Sequence, residues 1–357
     1  MKRKDFWIYL LTVTLYASII MSLIIGINVT VDAASAIKPQ HTELAKLALA
    51  GNVVATPENY NERVFQECIV NEMDSIPATV VIGSSRGMFL GEKVTGYENI
   101  YNNCVPGACL EDYYALLGLY NEKFGKMPER VIIEISPWIF YGGNPESRWL
   151  EAGTYNESAC DFFEIVNGQE ITVGENADKE NPYISLSYFR YNIDEWKEKG
   201  KEVFKEDARI STDVNEAADY PDGTIRYSAE RENESPERLE SVKATKGACS
   251  YQNSDQMTEI DADKAKAFEN LIDYLQDNGT EVLIYMQPFS VTQCIYSIDE
   301  NLNPGYMIAY SYLQEISQKK NIIIRGSYDA RDFELDDNRF IDYMHLDKKG
   351  TSIVWNY

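Results

Sequence analysis

The chain has 357 residues, 44% of them hydrophobic, enough to bury a full core in one elaborated domain or one domain with an insert, and too apolar for a disordered chain. Its 57 acidic against 33 basic side chains give a formal net charge of -24, which argues against nucleic acid as a partner, because no basic patch offsets the repulsion of a phosphate backbone. The same acidity keeps a surface protein soluble and says little else.

The first element is an apolar span. Lys2, Arg3 and Lys4 form a basic tail over residues 1–5, and residues 6–28 are almost uncharged, long enough as a helix to cross a hydrocarbon core of ~30 Å. Basic residues before the span and acids after it predict a single-pass signal anchor in the cell membrane, with the remainder of the chain extracytoplasmic. The alternative is secretion after cleavage at Ala34-Ser35-Ala36, although a typical signal-peptide apolar region is only ~7–15 residues. Residues 29–74 read as stalk and connector: a short helix from Thr42 to Ala50, then polar chain through Tyr60.

An α/β domain is predicted over 75–357. Ala78 to Ile82 is a β-branched run closed by Gly83, the pattern of a strand buried on both faces of a parallel sheet. Strands are further predicted at Asn99–Tyr101, Val131–Ile135, Glu281–Met286 and Ile322–Ile324. Between them, helical stripes run through Leu110, Tyr113, Leu117 and Tyr120, through Phe268, Leu271, Ile272 and Leu275, and through Tyr306, Tyr310, Leu313 and Ile316. This rhythm implies right-handed βαβ units around a central parallel sheet, and a short helix closes the chain at Tyr357. From about 141 to 255 the periodicity weakens and charge rises, so this stretch reads as an inserted cap region, partly helical from Ile193 to Val203, with a turn at Pro221-Asp222-Gly223.

Six cysteines, at 68, 104, 109, 160, 249 and 294, permit three disulfides in an oxidising compartment, with Cys160 and Cys249 placed to clamp the insert. None has zinc-like spacing, so neither a metal site nor another cofactor is expected.

Only two histidines occur. His41 lies just after the apolar span and is badly placed for catalysis. His345 sits in Asp342-Tyr343-Met344-His345, where three-residue spacing on a loop lets a carboxylate and an imidazole reach one cleft together. A serine hydroxyl is a poor nucleophile until an imidazole takes its proton, and a carboxylate fixes the imidazole's tautomer. Gly83-Ser84-Ser85-Arg86 puts Ser85 at the C-terminal end of the first sheet strand, where open α/β sheets bind ligands. If the three residues form a triad, Ser85 Oγ and His345 Nε2 lie within hydrogen-bond reach, with Asp342 on the other ring nitrogen. Arg86 either binds an anionic substrate or pairs with an acid such as Glu134, and the aromatic excess of 25 tyrosines and 5 tryptophans offers faces on which sugar rings stack.

These residues resemble the SGNH (GDSL-like) hydrolase superfamily, and more closely its membrane-anchored cell-envelope branch, which includes the D-alanyl transfer and alginate O-acetylation proteins. The matching pieces are Gly83-Ser84-Ser85 in place of Gly-Asp-Ser, the turn from Asn103 to Gly107 in place of the glycine block, and Asp342-x-x-His345. The resemblance covers roughly 75–140 and 260–357 and implies a three-layer, flavodoxin-like sandwich. It implies Ser85 as nucleophile, His345 as general base and then acid, Asp342 as the orienting carboxylate, and the backbone N–H groups of Ser85 and Gly107 as oxyanion donors. The third block departs from the pattern. Glu134-Ile135-Ser136-Pro137-Trp138 carries no asparagine, a donor worth about 3–4 kcal/mol in comparable sites, so Ser136, Asn103 or a backbone N–H must substitute.

The resulting expectation is O-acyl transfer, of acetyl or a similar group, on a cell-envelope polysaccharide or teichoic-acid-like polymer through an acyl-Ser85 intermediate, with a membrane-bound partner delivering the acyl group. The alternatives are a carbohydrate esterase of the same fold and a non-catalytic envelope assembly protein.

Overall fold

Eight strands are ordered by the computed structural model, which describes residues 3–33, 36–37, 40–57, 61–152, 154–171, 181–204, 208–232, 240, 242 and 246–357. They are β1 (Val54–Ala55), β2 (Thr79–Ile82), β3 (Ile100–Asn102), β4 (Arg130–Glu134), β5 (Ala218–Asp219), β6 (Ile225–Arg226), β7 (Glu281–Met286) and β8 (Ile323–Gly326). Five of them form one sheet in the order β3-β2-β4-β7-β8, every neighbouring pair parallel. The apolar runs account for this: all four residues of β2 are buried, as are the last four of β4 and the last five of β7.

Parallel neighbours need crossovers, and the helices Leu110–Phe124, Ala262–Asp277 and Gly305–Lys320 lie between β3 and β4, before β7, and between β7 and β8. Asp261 starts the second by accepting hydrogen bonds from the backbone N–H groups of Asp263 and Lys264, and Gly125 stops the first at φ 62°. From β2 the chain moves outward to β3, whereas from β4 it moves the opposite way to β7. The crevice between the C-terminal ends of β2 and β4 is therefore the sheet's topological switch point, and both Ser85 and Ser136 follow these two strands.

The sheet strands thus fall where the sequence predicts them, within one or two residues, and each predicted helical stripe lies on a crossover helix. The short helix expected from Thr42 to Ala50 is present as His41–Leu49. The stretch expected to be stalk and connector also supplies the helix Glu62–Glu72 and β1, and Leu44, Phe65, Ile69 and Val70 of the two helices join the main core. A two-residue strand leaves no periodicity to read. In the predicted insert, β5 and β6 form a hairpin that pairs antiparallel with β1, and the helix Tyr155–Asn167 packs along Leu110–Phe124. The helix expected from Ile193 to Val203 is instead Leu186–Lys199, followed by a 3-10 turn over Gly200–Phe204.

The N-terminal helix spans Arg3–Val31 and is long and apolar enough to cross a membrane, with its apolar window wholly unburied. Ala34 and Ser35 of the alternative cleavage site lie outside the described residues. The expected cysteine clamp is not formed, because Cys160 is a free thiol, as are Cys68, Cys104, Cys109 and Cys294. The side chain of Cys249 lies outside the described residues. Cys104, Cys109 and Cys294 are core residues, and burial pushes the Cys294 thiol up to about 12.

Candidate active site

The turn after β2 is held by a buried polar cluster. Gly83 takes φ +152°, and a Cβ there would lie 2.5 Å from Glu134 Cβ, so only glycine lets β2 pass β4 at this point. The Ser84 N–H donates to Glu134 Oε2 at 2.7 Å, and Ser84 Oγ accepts from the Arg86 N–H at 3.3 Å, capping the 3-10 turn Ser85–Gly87. That geometry turns Ser84 inward and leaves Ser85 partly exposed at the rim of the sheet.

Ser136 and Arg86 belong to the same cluster. Ser136 Oγ donates to Glu134 Oε1 at 2.8 Å, lies 3.2 Å from Ser84 Oγ and accepts from Arg86 Nη1 at 3.3 Å. Arg86 also donates to the Gln287 carbonyl, and its guanidinium lies 3.8 Å over the Phe289 ring. It is buried, reaches Glu134 only through Ser136, and does not line the cavity at Ser85. Neither of these two predicted substrate-side residues faces that cavity; both brace the Ser85 turn from behind.

His345 arrives on a tight turn in which the Ile341 N–H donates to the His345 carbonyl at 2.8 Å. Asp342 Oδ1 accepts from the backbone N–H groups of Met344 at 3.0 Å and His345 at 2.9 Å, so the carboxylate builds the loop that presents the imidazole. Gln287 Nε2 donates to the Met344 carbonyl at 3.1 Å, tying this loop to the end of β7.

The side chains converge. Ser85 Oγ lies 2.7 Å from His345 Nε2, and His345 Nδ1 lies 2.8 Å from both Asp342 oxygens. Burial works to raise the Asp342 pKa. The charge and hydrogen bond of His345, the Met344 N–H and Arg231 outweigh it, so the carboxyl titrates well below the usual carboxylate range. A bond from Nδ1–H to an ionised Asp342 leaves Nε2 with its lone pair toward Ser85 Oγ, the tautomer that accepts a hydroxyl proton.

Ser85 and His345 open on a cavity of about 390 Å³. Gly107 lines it at φ +60°, where a Cβ would lie 2.3 Å from Arg148 Nη2. Among the described residues, the backbone N–H groups of Ser85 and Gly107 donate to no protein acceptor. Asn103 does not line the cavity. Its side chain is fully buried, accepting from Tyr120 Oη at 2.7 Å and donating to Gln66 Oε1 at 2.7 Å.

Several site residues escaped sequence reasoning. Gln66, 5% exposed on the helix Glu62–Glu72, lines the cavity, and because Asn103 holds its Oε1, its Nε2 is the end left for the cavity. The signal was present: Gln66, Ile69, Val70 and Met73 form one apolar stripe with a lone amide in it. From the insert come Tyr227, edge-on to the His345 ring at 6.4 Å, and Arg231, whose guanidinium lies 4.0 Å over the Tyr227 ring and whose Nη2 is 3.4 Å from Asp342 Oδ2. Burial pushes the Tyr227 phenol up to about 12, so it stays neutral beside the imidazole. No sequence pattern marks these two.

His41 lies elsewhere, its Nε2 accepting from the Asn61 N–H at 3.1 Å. Among the described residues, no group of three His, Cys, Asp or Glu side chains is placed to hold a metal ion. No protein-family model matches this chain, and no curated protein matches it.

Proposed function

We propose that this chain is a membrane-tethered serine acyltransferase of SGNH type that moves an acetyl or similar group onto a cell-envelope polysaccharide or teichoic-acid-like polymer. The observation that carries the proposal is Ser85 Oγ 2.7 Å from His345 Nε2, with Asp342 on Nδ1, at the floor of a cavity.

In the first half-reaction His345 Nε2 takes the Ser85 proton as Oγ attacks the donor ester's carbonyl carbon. The carbonyl electron pair moves onto oxygen, facing the free N–H groups of Ser85 and Gly107, and Gln66 Nε2 supplies the amide that the third sequence block lacks. The carbonyl re-forms, the C–O bond to the donor alcohol breaks, and His345 returns the proton to that alcohol. An acceptor hydroxyl then loses its proton to His345 and attacks the acyl-Ser85 carbon; collapse breaks the bond to Ser85 Oγ, which takes that proton from His345 and restores the serine. Asp342 stays ionised throughout and stabilises the transient imidazolium.

In this proposal the parallel sheet and its helices form the three-layer sandwich of that superfamily, and residues 141–255 cap the site, placing Tyr227 and Arg231 against the triad. The basic tail before the span orients the domain extracytoplasmically, close to the polymer and to a membrane partner that delivers the acyl group.

The test uses the full-length protein in detergent with a chromogenic acetyl ester. Release of chromophore that Ser85→Ala abolishes is the expected result. Mass spectrometry of an added oligosaccharide then separates transfer from hydrolysis: acyl gain on the sugar supports the transferase, and free acetate alone makes the protein an esterase. Turnover that survives in Ser85→Ala would remove Ser85 from the chemistry.

A further inference from the structure

The end of the apolar span is locked to the segment that begins at residue 181. Asn28 is fully buried; its Nδ2 donates to the carbonyl oxygens of Pro182 at 2.8 Å and Ser185 at 3.0 Å, and its Oδ1 accepts from Asn192 Nδ2 at 3.2 Å. Asn192 Oδ1 also accepts from the Ala33 N–H at 2.8 Å, and Tyr188 Oη donates to Asp32 Oδ1 at 2.5 Å. These bonds fix the height of the segment relative to the span.

At about 1.5 Å per residue the apolar run from Phe6 to Ile27 measures about 33 Å. That matches a hydrocarbon core of about 30 Å, so Asn28 emerges at the boundary between acyl chains and headgroups. Tyr183, Ile184 and Leu186, beside it, stand at the same level. These three and Trp196 are each between 41% and 51% exposed. Along the helix Leu186–Lys199, positions 186, 189, 193 and 196 place Leu, Phe, Ile and Trp on one stripe, with Lys197 and Lys199 exposed at the far end.

In water such a patch is unfavourable, whereas the headgroup region favours aromatic and aliphatic side chains flanked by lysines. We propose that residues 183–196 lie in the headgroup region of the same bilayer that the N-terminal helix crosses, as a second, monotopic membrane contact. The lipid interface is the occupant because the hydrogen bonds to Asn28, Asp32 and Ala33 leave the patch no other depth. Two contacts stop the domain from swivelling about a single helix. The proposal is independent of the acyl chemistry.

The experiment places the full-length protein in lipid nanodiscs and compares Ile184→Trp with Val214→Trp, a position 76% exposed on the insert. Emission of each added tryptophan is obtained by subtracting the wild-type spectrum. With lipids brominated near the headgroup end of the acyl chain, the Ile184→Trp emission is expected to be blue-shifted and quenched, and to resist aqueous iodide. Val214→Trp is expected to do the reverse. Iodide quenching of Ile184→Trp without bromine quenching would overturn the proposal, and so would a blue shift without bromine quenching, which means a protein surface covers the patch.

Discussion

Removing the Gln66 amide tests whether a side chain from outside the sheet completes the oxyanion site. The orientation of that amide follows from two bonds: Tyr120 Oη gives its proton to Asn103 Oδ1, so Asn103 presents Nδ2 to Gln66 Oε1, and Gln66 is left with Nε2 for the cavity. Gln66→Met keeps most of the volume and loses both polar ends. Loss of one oxyanion donor costs about 10²–10³ in kcat, or about 2.7–4 kcal/mol, with KM little changed. The same change strands the fully buried Asn103 amide and costs about 1–3 kcal/mol of stability. Gln66→Glu separates the two effects, since a carboxylate still accepts from Asn103 but puts negative charge where the oxyanion forms: stability recovers while kcat falls at least as far as in Gln66→Met. Ester turnover by the full-length protein, with kcat and KM measured separately and thermal unfolding alongside, reads all of these. A folded Gln66→Met variant with kcat within a factor of about three of wild type would refute the assignment.

Asp342→Asn puts an amide N–H against His345 Nδ1 and forces the wrong tautomer, so kcat is expected to fall about 10⁴-fold with the fold intact; a loss below tenfold would show that Asp342 does not set the tautomer. Because the folded Asp342 pKa lies below its unfolded value of about 3.9, the carboxylate contributes stability above roughly pH 4 that is lost as pH falls through the folded pKa. The stability gap between wild type and Asp342→Asn in denaturant unfolding should therefore narrow on acidification, and a widening gap would reverse the sign of the shift. Gly107→Ala adds left-handed strain of about 1–2 kcal/mol and drives a methyl group into Arg148, whereas Gly125→Ala at φ 62° meets nothing within 4 Å, so only the former should lower kcat/KM strongly. With five of the six thiols free, the thermal midpoint is expected to be the same with and without reductant.

How far the sequence reaches is set by what each residue is bonded to. The strands are legible because Thr79–Ile82, residues 131–134 and residues 282–286 are buried, which demands continuous apolar runs. Asp342 and His345 were legible because one short loop carries both. The substrate-binding reading of Arg86 and Ser136 rests on adjacency to Ser85 and to a strand end, which says nothing about direction: the Ser84 cap turns Arg86 away from the cavity, toward Phe289 and, through Ser136, toward the Glu134 that the sequence offers as its alternative partner. The contributions of Gln66, Tyr227 and Arg231 depend on contacts between segments far apart in the chain, with sequence separations of 37 from Gln66 to Asn103 and 111 from Arg231 to Asp342. Tyr227 and Arg231 leave no local pattern, and the lone amide in the Gln66 stripe does not reveal its partner.

The weakly periodic stretch 141–255 does two jobs at once, which accounts for its irregular sequence. Arg231 and Tyr227 lie against the Asp342 carboxylate and the His345 imidazole, while Pro182, Ser185 and Asn192 hydrogen-bond to Asn28 near the end of the N-terminal helix. Side chains committed to a cavity wall or to the end of the apolar helix cannot also follow a core-facing repeat. The contacts to the candidate site and those to the end of the N-terminal helix therefore come from one stretch of the chain. Deleting residues 1–36 would remove the Asn28 side chain that joins the Pro182 and Ser185 carbonyls to Asn192, and the packing of the N-terminal helix on Leu186–Lys199 with it. A truncated soluble domain is therefore expected to melt first within 181–199, seen as early hydrogen exchange there, while the sheet and the Ser85 turn remain protected. Equal protection of that segment with and without the span would mean that the Asn28 contacts do not hold it.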